Sequence, residues 1–562
     1  MSRYLLAAEA DKIQDFIFRA AKLREVVGGS RLLARFCDEG VNALMVHKNH
    51  TAANPEKIIS DGGAFRFVFD TKEQAEAFGQ DLAELYRRCA GGILTVAEPV
   101  EYDESEFKKC NDQAQEKLRE AKSVGDKGAT AVHLPYIAFC ASCGSAIATE
   151  HQRKILSEQS ERANYLCSDC RNKTEEKYDR DKLFLGAFHN ALKKHLQDKN
   201  KLLPLPSLHK RDWVDVISKA DPRNYVAYLV ADGNGMGKLF SECDTPEKLR
   251  NLSRGLTDAL RESLALPCAT MLKKQEAIQG LNALPVIPLI LGGDDLFALL
   301  PAPFAIDFTK HFCQTYEEKL EAALTKPEIN LTTGKKPTVA AAVVICKSNY
   351  PHTLAHQRGE AALKEAKEMA RRIEVHSGKR VSVLNFVVVT GNQVIADEGE
   401  ETRQECRKSL RPYFVSEDAP EGWGTKIRPL LEARFALREL PGKRRAEFKR
   451  LYDDLPEDKK KPSEEGKFRS DWKPDFDELI KRLGVRDDSV QPDNSFNQDD
   501  DLPIALRKSL KLLGANKKAV CYLKEVTRGM SEYWHGHGLP DLLEVWDFAY
   551  KIDKASGDYE ED

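Results

Sequence analysis

The sequence predicts a multidomain protein of the α+β class in which one βαββαβ unit occurs twice. At 562 residues the chain exceeds what one hydrophobic core supports, and about three to five domains are expected. Predicted strands and helices follow each other in the same order in residues 1–103 and in residues 223–395. This order is the ferredoxin-like arrangement, so we interpret the sequence as a duplicated fold.

The elements of the two copies are predicted from apolar periodicity. In the first copy they are a strand at 4–8, a helix at 11–46, a hairpin at 58–69, a helix at 72–89 and a strand at 93–100. In the second copy they are a strand at 225–230, a largely helical stretch at 236–264, a hairpin at 286–300, a helix at 306–324, a strand at 338–346, a helix at 354–373 and a strand at 381–389. The second copy is therefore the more elaborate one.

The two copies differ at the positions where catalytic side chains could stand. When the hairpins are superposed, residues 62–65 fall on residues 292–295, and when the first strands are superposed, Glu9 falls on Asp232. The first copy keeps the turn glycines but has no acid after them, whereas the second copy has two aspartates there. We therefore expect one catalytic copy and one structural copy.

The remaining sequence is predicted to form two further domains. Residues 104–222 contain a charged helical stretch at 104–123 and a cysteine-bearing insert. Residues 396–562 are mostly helical in pattern, but 457–501 is rich in Asp, Lys, Pro and Ser and is expected to be a linker or loop in part. The predicted order is first copy, insert, second copy and C-terminal helical domain.

Charge and composition exclude several classes of protein. The formal net charge of −3 gives no sign of a surface that binds polyanions throughout, so contact with nucleic acid would need local basic patches or partner subunits. No run of about 18 apolar residues predicts a membrane span, and the N-terminus lacks the pattern of a secretion signal. Most of the 13 cysteines are scattered singly, which is typical of reduced thiols in the cytoplasm.

The hairpin of the second copy carries the strongest chemical signal. Gly292 and Gly293 are followed by Asp294 and Asp295 at the tip of two apolar strands. Glycines allow the positive φ of a tight turn and leave room for a phosphate near the backbone. Two adjacent carboxylates at such a tip repel each other unless a cation compensates them. A hairpin turn with solvated acids is the alternative interpretation.

A third acid is expected beside this pair. Asp232, followed by Gly233, ends the first strand of the same unit, which lies next to the hairpin in a ferredoxin-like sheet. Three converging carboxylates suit divalent cations, Mg²⁺ or Mn²⁺, that grip a nucleoside triphosphate. We therefore predict nucleotidyl transfer without a side-chain nucleophile, with Asp232, Asp294 and Asp295 as catalytic and metal-binding residues.

A predicted helix of the second copy offers two cations, Lys367 and Arg371. Residues at i and i+4 share a helix face, and such a pair could clamp a triphosphate. A solvated, charged helix face is the alternative interpretation.

Four cysteines form a spaced set within the insert. Cys140 and Cys143 make one Cys-x-x-Cys motif, and Cys167 and Cys170 make a second. Two such motifs predict a tetrahedral thiolate Zn²⁺ site. Because four thiolates leave no open coordination position, the zinc is expected to be structural.

These motifs together resemble a known family. Gly-Gly-Asp-Asp at 292–295, Asp-Gly-Asn-Gly-Met-Gly at 232–237 and Glu-Ala-Ala-Leu-Lys-Glu-Ala-Lys at 360–367 are similar to the palm domain of the large subunit of type III CRISPR effector complexes. Residues 12–30 resemble the opening of that family's first palm domain. The resemblance covers residues 1–389, and the helices beyond weakly resemble the family's C-terminal helical domain.

The resemblance implies two palm domains of the nucleotidyl cyclase type with a zinc-binding insert between them. It implies synthesis of cyclic oligoadenylates from ATP when the complex binds target RNA, as part of antiviral defence in the cytoplasm. The implied partners are other effector subunits, crRNA and target RNA. The palm is akin to that of diguanylate cyclases, whose corresponding helix carries phosphate-binding Lys and Arg. The residues expected to contact nucleotide are Gly62, Gly63, Gly233, Gly292, Gly293, Lys367 and Arg371.

Two features depart from the family pattern. The first palm begins at residue 1 with no His-Asp pair before it, so HD nuclease activity is not expected. Asn234 replaces an acid often found two residues after the first aspartate, so a metal role is not expected for it.

Two other functions stay open on the sequence alone. The reduced set of domains is compatible with a stand-alone cyclase that makes a cyclic dinucleotide. A non-catalytic scaffold subunit of the ribonucleoprotein is the other alternative, although a scaffold has no use for three convergent acids.

Overall fold

The computed structural model shows a mixed α/β chain built around two β-sheets. It describes residues 3–20, 22–47, 50, 55–124, 138–152, 164–175, 184–196, 213–273, 281, 283–331, 336–390, 410–420, 425–437, 442–453, 525–527, 530–532 and 538–552. Buried side chains of both sheets and their helices form one continuous hydrophobic core. Two sheets with packed helices agree with the predicted α+β class, whereas the boundaries of the four domains stay predictions. No helix within the described ranges is long and apolar enough to cross a membrane.

The first sheet follows the predicted order of strands with one interruption. Its strands are β1 (Arg3–Asp11), β2 (Glu56–Asp61), β3 (Ala64–Phe69), β4 (Ile93–Val96) and β5 (Val100–Tyr102). Central β1 pairs antiparallel with β3, β4 and β5, and β2 forms the edge beyond β3. The single strand predicted at 93–100 is wrong, because Pro99 has no N–H to donate and separates β4 from β5.

The helix predicted at 11–46 is also wrong as a single element. The structure has α1 (Ile13–Phe18), α2 (Leu23–Arg35), a π-helical turn (Phe36–Gly40) and α3 (Val41–Met45). Lys22 is extended, with φ −118° and ψ 136°, so α2 begins as a new helix. No proline or glycine marks this break, so the apolar periodicity runs through it. The helices α4 (Lys72–Ala90) and α5 (Phe107–Val124) lie close to their predicted positions.

The cysteine-bearing insert packs on the helices of the first sheet. It contains β6 (Glu150–Gln152), β7 (Asn164–Leu166), α6 (Ser168–Glu175), α7 (Phe184–His195) and α8 (Trp213–Ile217). α6 lies so close to α2 that a Cβ on Gly28 would be 2.1 Å from the backbone oxygen of Lys173. The buried Lys173 ammonium donates to the carbonyl oxygen of Phe16 and lies over its ring. The insert is therefore anchored to the first copy.

The second sheet has six strands in the order β13-β12-β11-β8-β10-β9. They are β8 (Tyr225–Gly233), β9 (Ile287–Gly292), β10 (Asp295–Pro301), β11 (Val339–Lys347), β12 (Val383–Val388) and β13 (Tyr413–Phe414). The helices are α9 (Met236–Ser241), α10 (Pro246–Lys273), α11 (Ala305–Leu324) and α12 (His352–Ser377). Only β11 and β12 pair in parallel within the described sheet, since α12 connects them.

The described C-terminal part returns to the second sheet. Its elements are α13 (Ile427–Ala436), α14 (Gly442–Asp453), β14 (Glu525–Thr527), β15 (Met530–Glu532) and α15 (Gly538–Glu544). The Tyr413 hydroxyl donates to Asp541 at 2.6 Å, and the Ile552 N–H donates to Asp307 at 3.0 Å. This part is not purely helical, because β13 extends the second sheet. The linker predicted at 457–501 lies outside the described residues.

Replacing Gly28 by alanine should weaken the contact between α2 and α6. The new methyl group would overlap the Lys173 carbonyl, a backbone atom that cannot turn away, and overpacking costs about 1–3 kcal/mol. Gly29→Ala is the matched control, because its Cβ would make ordinary van der Waals contacts with the Lys173 side chain at 3.4 Å and with the Ile17 Cα at 3.5 Å. Urea unfolding should show a lower free energy of unfolding for Gly28→Ala than for Gly29→Ala. Equal stability of the two variants would contradict this packing.

Candidate functional site

The structure brings the three predicted acids to one end of the second sheet. Asp295 pairs with Gly292 across a two-residue turn formed by Gly293 and Asp294. The neighbouring strand pairs Leu296 with Ala231, so the next step of this register places Asp295 beside Asp232. The convergence follows from strand order, because β8 and β10 are antiparallel neighbours.

The turn itself differs from the prediction by one residue. Gly293 has a positive φ of 61°, but Gly292 is the last residue of β9 and not part of the two-residue turn. In the first copy, Asp61 pairs with Ala64 across Gly62 and Gly63, whose φ values are 57° and 84°. The superposition of 62–65 on 292–295 is therefore wrong. The pairing places Gly62 on Gly293, Gly63 on Asp294 and Ala64 on Asp295.

The first copy reproduces the backbone of this site without its chemistry. Glu9 pairs with Ala64, as Asp232 lies beside Asp295 in the second copy. A Cβ on Gly63 would lie 2.7 Å from the Ile13 side chain, so that position is filled by apolar atoms. The ammonium of Lys122 lies 3.0 Å from the Glu9 carboxylate and 3.2 Å from that of Asp11. One ammonium thus pairs with both acids of the first copy.

The acids of the second copy lie in an environment that disfavours their charge. Burial raises the pKa of Asp294 to about 6 and the pKa of Asp295 to about 7, and the charge of Asp232 adds to both shifts. Lys367 forms an ion pair with Asp232 and opposes these shifts. One ammonium cannot neutralise three carboxylates, so the site is suited to a further cation.

The two cations predicted to clamp a phosphate have different surroundings. Lys367 reaches the acid cluster, where its ammonium contacts Asp232. The Arg371 guanidinium donates to Glu368 at 3.1 Å and 3.0 Å, and its side chain is 68% exposed. Within the described part of the chain, Glu368 is its hydrogen-bond partner, and the structure does not bring Arg371 to the acids.

A fourth carboxylate, missed by the sequence analysis, faces the cluster. Burial raises the pKa of Glu360, the charge of Asp232 adds to this shift, and the charge of Glu360 in turn raises the pKa of Asp295. Its Oε1 is buried and has no hydrogen-bond partner among the described residues, although His356 Nε2 lies 3.5 Å away. Glu360 precedes Lys367 by seven residues, or two helical turns, so a shared helix face could have revealed it.

The turn of the first copy faces the turn of the second. A Cβ on Gly62 would lie 3.8 Å from the Cα of Gly293. By contrast, no described atom would lie within 4 Å of a Cβ on Gly292 or on Gly293, so there is open space beside the acids.

Helix α10 holds the two turns in this arrangement. The Arg250 guanidinium donates to the carbonyl oxygens of Lys57 and Ile58 at 3.1 Å and 3.2 Å, which occupies the edge of β2. The hydroxyls of Ser253 and Thr257 donate to Asp61 at 3.3 Å and 3.4 Å. No sequence motif indicated these contacts between the two copies.

The four predicted cysteines converge as a possible metal site. Sulfur atoms of Cys140, Cys143, Cys167 and Cys170 all lie within 4.8 Å of one another. Zn–S bonds of about 2.3 Å in a tetrahedron place the sulfurs about 3.8 Å apart, and Cys143 and Cys167 are 4.0 Å apart. The donor set and spacing therefore fit a zinc ion.

The fold of the second copy is that of a palm-type domain. Residues 225–375 match the family model described as Cas10/Cmr2, second palm domain. The resemblance to the large subunit of type III CRISPR effector complexes is confirmed by this match. The matched segment contains Asp232, Asp294, Asp295, Lys367 and Arg371.

Several solved structures are similar to the chain at low identity. A chain of the Csm1-Csm4 cassette in complex with cA4 is 16% identical, with a TM-score of 0.41, and the match covers 69% of this chain and 54% of that one. A chain of the cassette with pppApApA is 16% identical, with a TM-score of 0.46, and the match covers 98% of this chain and 69% of that one. A chain of the cassette with pppApA is 15% identical, with a TM-score of 0.42, and the match covers 90% of this chain and 69% of that one. This chain thus spans about half of the first of these relatives, and no curated protein matches it.

In buffer without Mg²⁺ or Mn²⁺, the stability of the protein should fall as the pH rises from about 5 to 8. The folded-state pKa values of about 6 and about 7 lie above the ordinary aspartate value of about 3.9. The folded state therefore binds more protons in this range, and its advantage is lost as they dissociate. Thermal unfolding of the wild type and of Asp294→Asn with Asp295→Asn checks this. The double variant should show a flatter profile and no stabilisation by added Mg²⁺, whereas parallel profiles would contradict the prediction.

Purified protein should contain about one Zn²⁺ ion per chain. Cys140→Ser with Cys167→Ser should remove the ion and lower the melting temperature, because half of the thiolate ligands are lost. The exposed Cys89 gives the control substitution, Cys89→Ser, which should change neither value. Elemental analysis with thermal unfolding checks both, and full stability after loss of zinc would exclude a structural metal.

Proposed function

We propose that this chain is the large subunit of a type III CRISPR effector and makes cyclic oligoadenylates from ATP. The observation that carries the proposal is the convergence of Asp232, Asp294 and Asp295 within a segment that matches a Cas10/Cmr2 second palm domain. Three half-buried carboxylates, two of them with raised pKa values, have no structural function in a scaffold, whereas a metal-dependent transferase requires them.

The three aspartates would hold Mg²⁺ or Mn²⁺, which when bound activates the attacking hydroxyl and neutralises charge on the leaving pyrophosphate. The chain itself supplies the half-buried carboxylates and the strand geometry that places them together. Lys367 pairs with Asp232 in the structure. Its long, flexible stem lets the ammonium turn to a phosphate when a metal ion takes over that carboxylate.

The first palm would complete the nucleotide site rather than catalyse. Its Gly62 lies against Gly293, and the contacts of Arg250 with β2 keep the two turns together. A second nucleotide could therefore lie across the turns, with its base on the first palm. Gly63, Gly233 and Gly292 are proposed as the other backbone positions close to nucleotide.

The remaining assignments follow from the resemblance. The proposed domains are the first palm at 1–103, the zinc-binding insert at 104–222, the catalytic palm at 223–395 and the C-terminal domain at 396–562. The proposed partners are the other effector subunits, crRNA and target RNA, in the cytoplasm. The proposed zinc ion stabilises the insert and takes no part in the reaction.

The experiment is incubation of the purified chain, alone and with its effector subunits, crRNA and target RNA, with ATP and Mg²⁺ or Mn²⁺. Mass spectrometry should find cyclic oligoadenylates with the wild type and at least about 100-fold less with Asp294→Ala plus Asp295→Ala, since the metal ligands are lost. Asp38→Ala with Glu39→Ala is the matched control, because it removes two adjacent acids of the first copy. This control should retain activity.

The outcomes separate the possible functions. A cyclic dinucleotide made by the chain alone would establish the stand-alone cyclase instead. Unchanged synthesis by the Asp294 and Asp295 double variant would place the active site elsewhere, and absence of any product from the complete wild-type complex would refute the enzymatic proposal.

A further inference from the structure

A buried arginine lies beside the loop that follows Asp232. Arg380 stands between α12 and β12, outside the matched palm segment, and no sequence motif singled it out. A Cβ on Gly235 would lie 3.5 Å from its Nη2, 3.7 Å from its Cζ and 3.9 Å from its Nη1. The guanidinium therefore lies against the backbone of a residue only three positions after a proposed metal ligand.

The side chain of Arg380 is held in place by an acid. Its Nε donates to Glu374 Oε1 at 3.0 Å, and the Arg380 side chain is 8% exposed. This contact uses the Nε side of the guanidinium, and the similar distances of Nη2, Cζ and Nη1 show that the flat face of the group lies over Gly235. Among the described residues, no other hydrogen-bond or ion-pair partner of Arg380 is present. The two Nη groups lie along the edge of the guanidinium beside the loop, and with no partner among the described residues they can receive an anion there.

Three other cations near the C-terminal end of α12 contact other groups. Arg371 and Arg372 both donate to Glu368. Lys379 donates to the carbonyl oxygen of Asp418 at 3.4 Å on the surface. Within residues 367–380, Lys367 reaches the acids and Arg380 reaches the loop.

The loop beside Arg380 contains a glycine that its backbone conformation requires. Gly235 has a φ of 72°, which side chains rarely adopt, and a Cβ there would be in ordinary van der Waals contact with the guanidinium. Two residues further on, no described atom would lie within 4 Å of a Cβ on Gly237, so space for a ligand exists next to the loop.

We propose that Arg380, oriented by Glu374, contacts the terminal phosphates of the nucleotide bound at the acid cluster. The phosphate clamp of this chain is then Lys367 with Arg380, in place of the predicted Lys367 with Arg371. The planar guanidinium can present both Nη groups to phosphate oxygens, which gives a bidentate contact that lysine cannot reproduce. That the ligand is a nucleoside triphosphate rests on the proposed function.

Inorganic triphosphate with Mg²⁺ is the probe that tests the clamp without requiring catalysis. Isothermal titration of the full chain should show that Arg380→Ala weakens binding at least about 10-fold, because one charge-assisted bidentate contact is lost. Arg380→Lys should recover part of the affinity, since it keeps the charge without the planar fork. Arg372→Ala is the matched control and should bind like the wild type. Arg371→Ala tests the competing assignment and should weaken binding less than Arg380→Ala.

Kinetics with ATP supplies the second measurement. Arg380→Ala should raise KM by a factor similar to its loss of triphosphate binding, and Glu374→Gln should raise KM less, because it loosens the orientation and keeps the cation. Thermal unfolding of each variant shows whether it is folded. If Arg380→Ala is unfolded, Arg380→Lys decides the question, because it retains the aliphatic stem.

Each outcome supports or overturns the inference. Triphosphate binding that depends on Arg380, in a wild type that makes no product, would support the clamp and refute the proposed synthesis. Wild-type binding and KM in Arg380→Ala would overturn the clamp while leaving the synthesis intact. A greater loss in Arg371→Ala than in Arg380→Ala, or no binding of triphosphate by the wild type, would also overturn it.

Discussion

The mutual repulsion of three carboxylates held at one end of a sheet is the constraint on which the account of this protein depends. Antiparallel pairing of β8 with β10 places Asp232 beside Asp295, and the tight turn places Asp294 next to both. Burial raises the pKa of Asp294 and Asp295, so the ionised forms of these acids do not stabilise the folded chain when no ligand is bound. The proposed function explains their presence, because a cation and a phosphate would complete the site.

The duplication shows how the same backbone can be used in two ways. In the first copy, Ile13 fills the space beside Gly63 and Lys122 neutralises Glu9 and Asp11. An ammonium also pairs with Asp232 in the second copy, but there Asp294 and Asp295 stand where the first copy has Gly63 and Ala64. The first copy keeps a turn that meets Gly293, and in the proposed function it shapes the neighbouring site without catalysing the reaction.

The sequence predicted the features that depend on local pattern and strand order. The apolar strands, the Gly-Gly-Asp-Asp hairpin and the two Cys-x-x-Cys motifs are continuous segments, and Asp232 joins them because the first strand borders the hairpin in this fold. The helix break at Lys22 has no local signal, and the exact turn residues depend on the pairing of Gly292 with Asp295. Glu360 could have been predicted from helical spacing.

Contacts between distant segments could not be predicted from one sequence. Arg250 reaches the carbonyls of Lys57 and Ile58 across almost two hundred residues, and Arg380 approaches Gly235 from the far end of α12. The spacing of Arg371 after Lys367 suggested a pair of cations. The structure shows that the Arg371 guanidinium instead donates hydrogen bonds to a nearby acid, Glu368.

The most direct measurement is a crystal structure of the chain with Mn²⁺ and a non-hydrolysable ATP analogue, using the anomalous signal of manganese. The account predicts anomalous peaks within coordinating distance, about 2.0–2.2 Å, of carboxylate oxygens of Asp232, Asp294 and Asp295, with the triphosphate on the same ions. Manganese bound elsewhere, with the three acids contacting only protein or water, would contradict it.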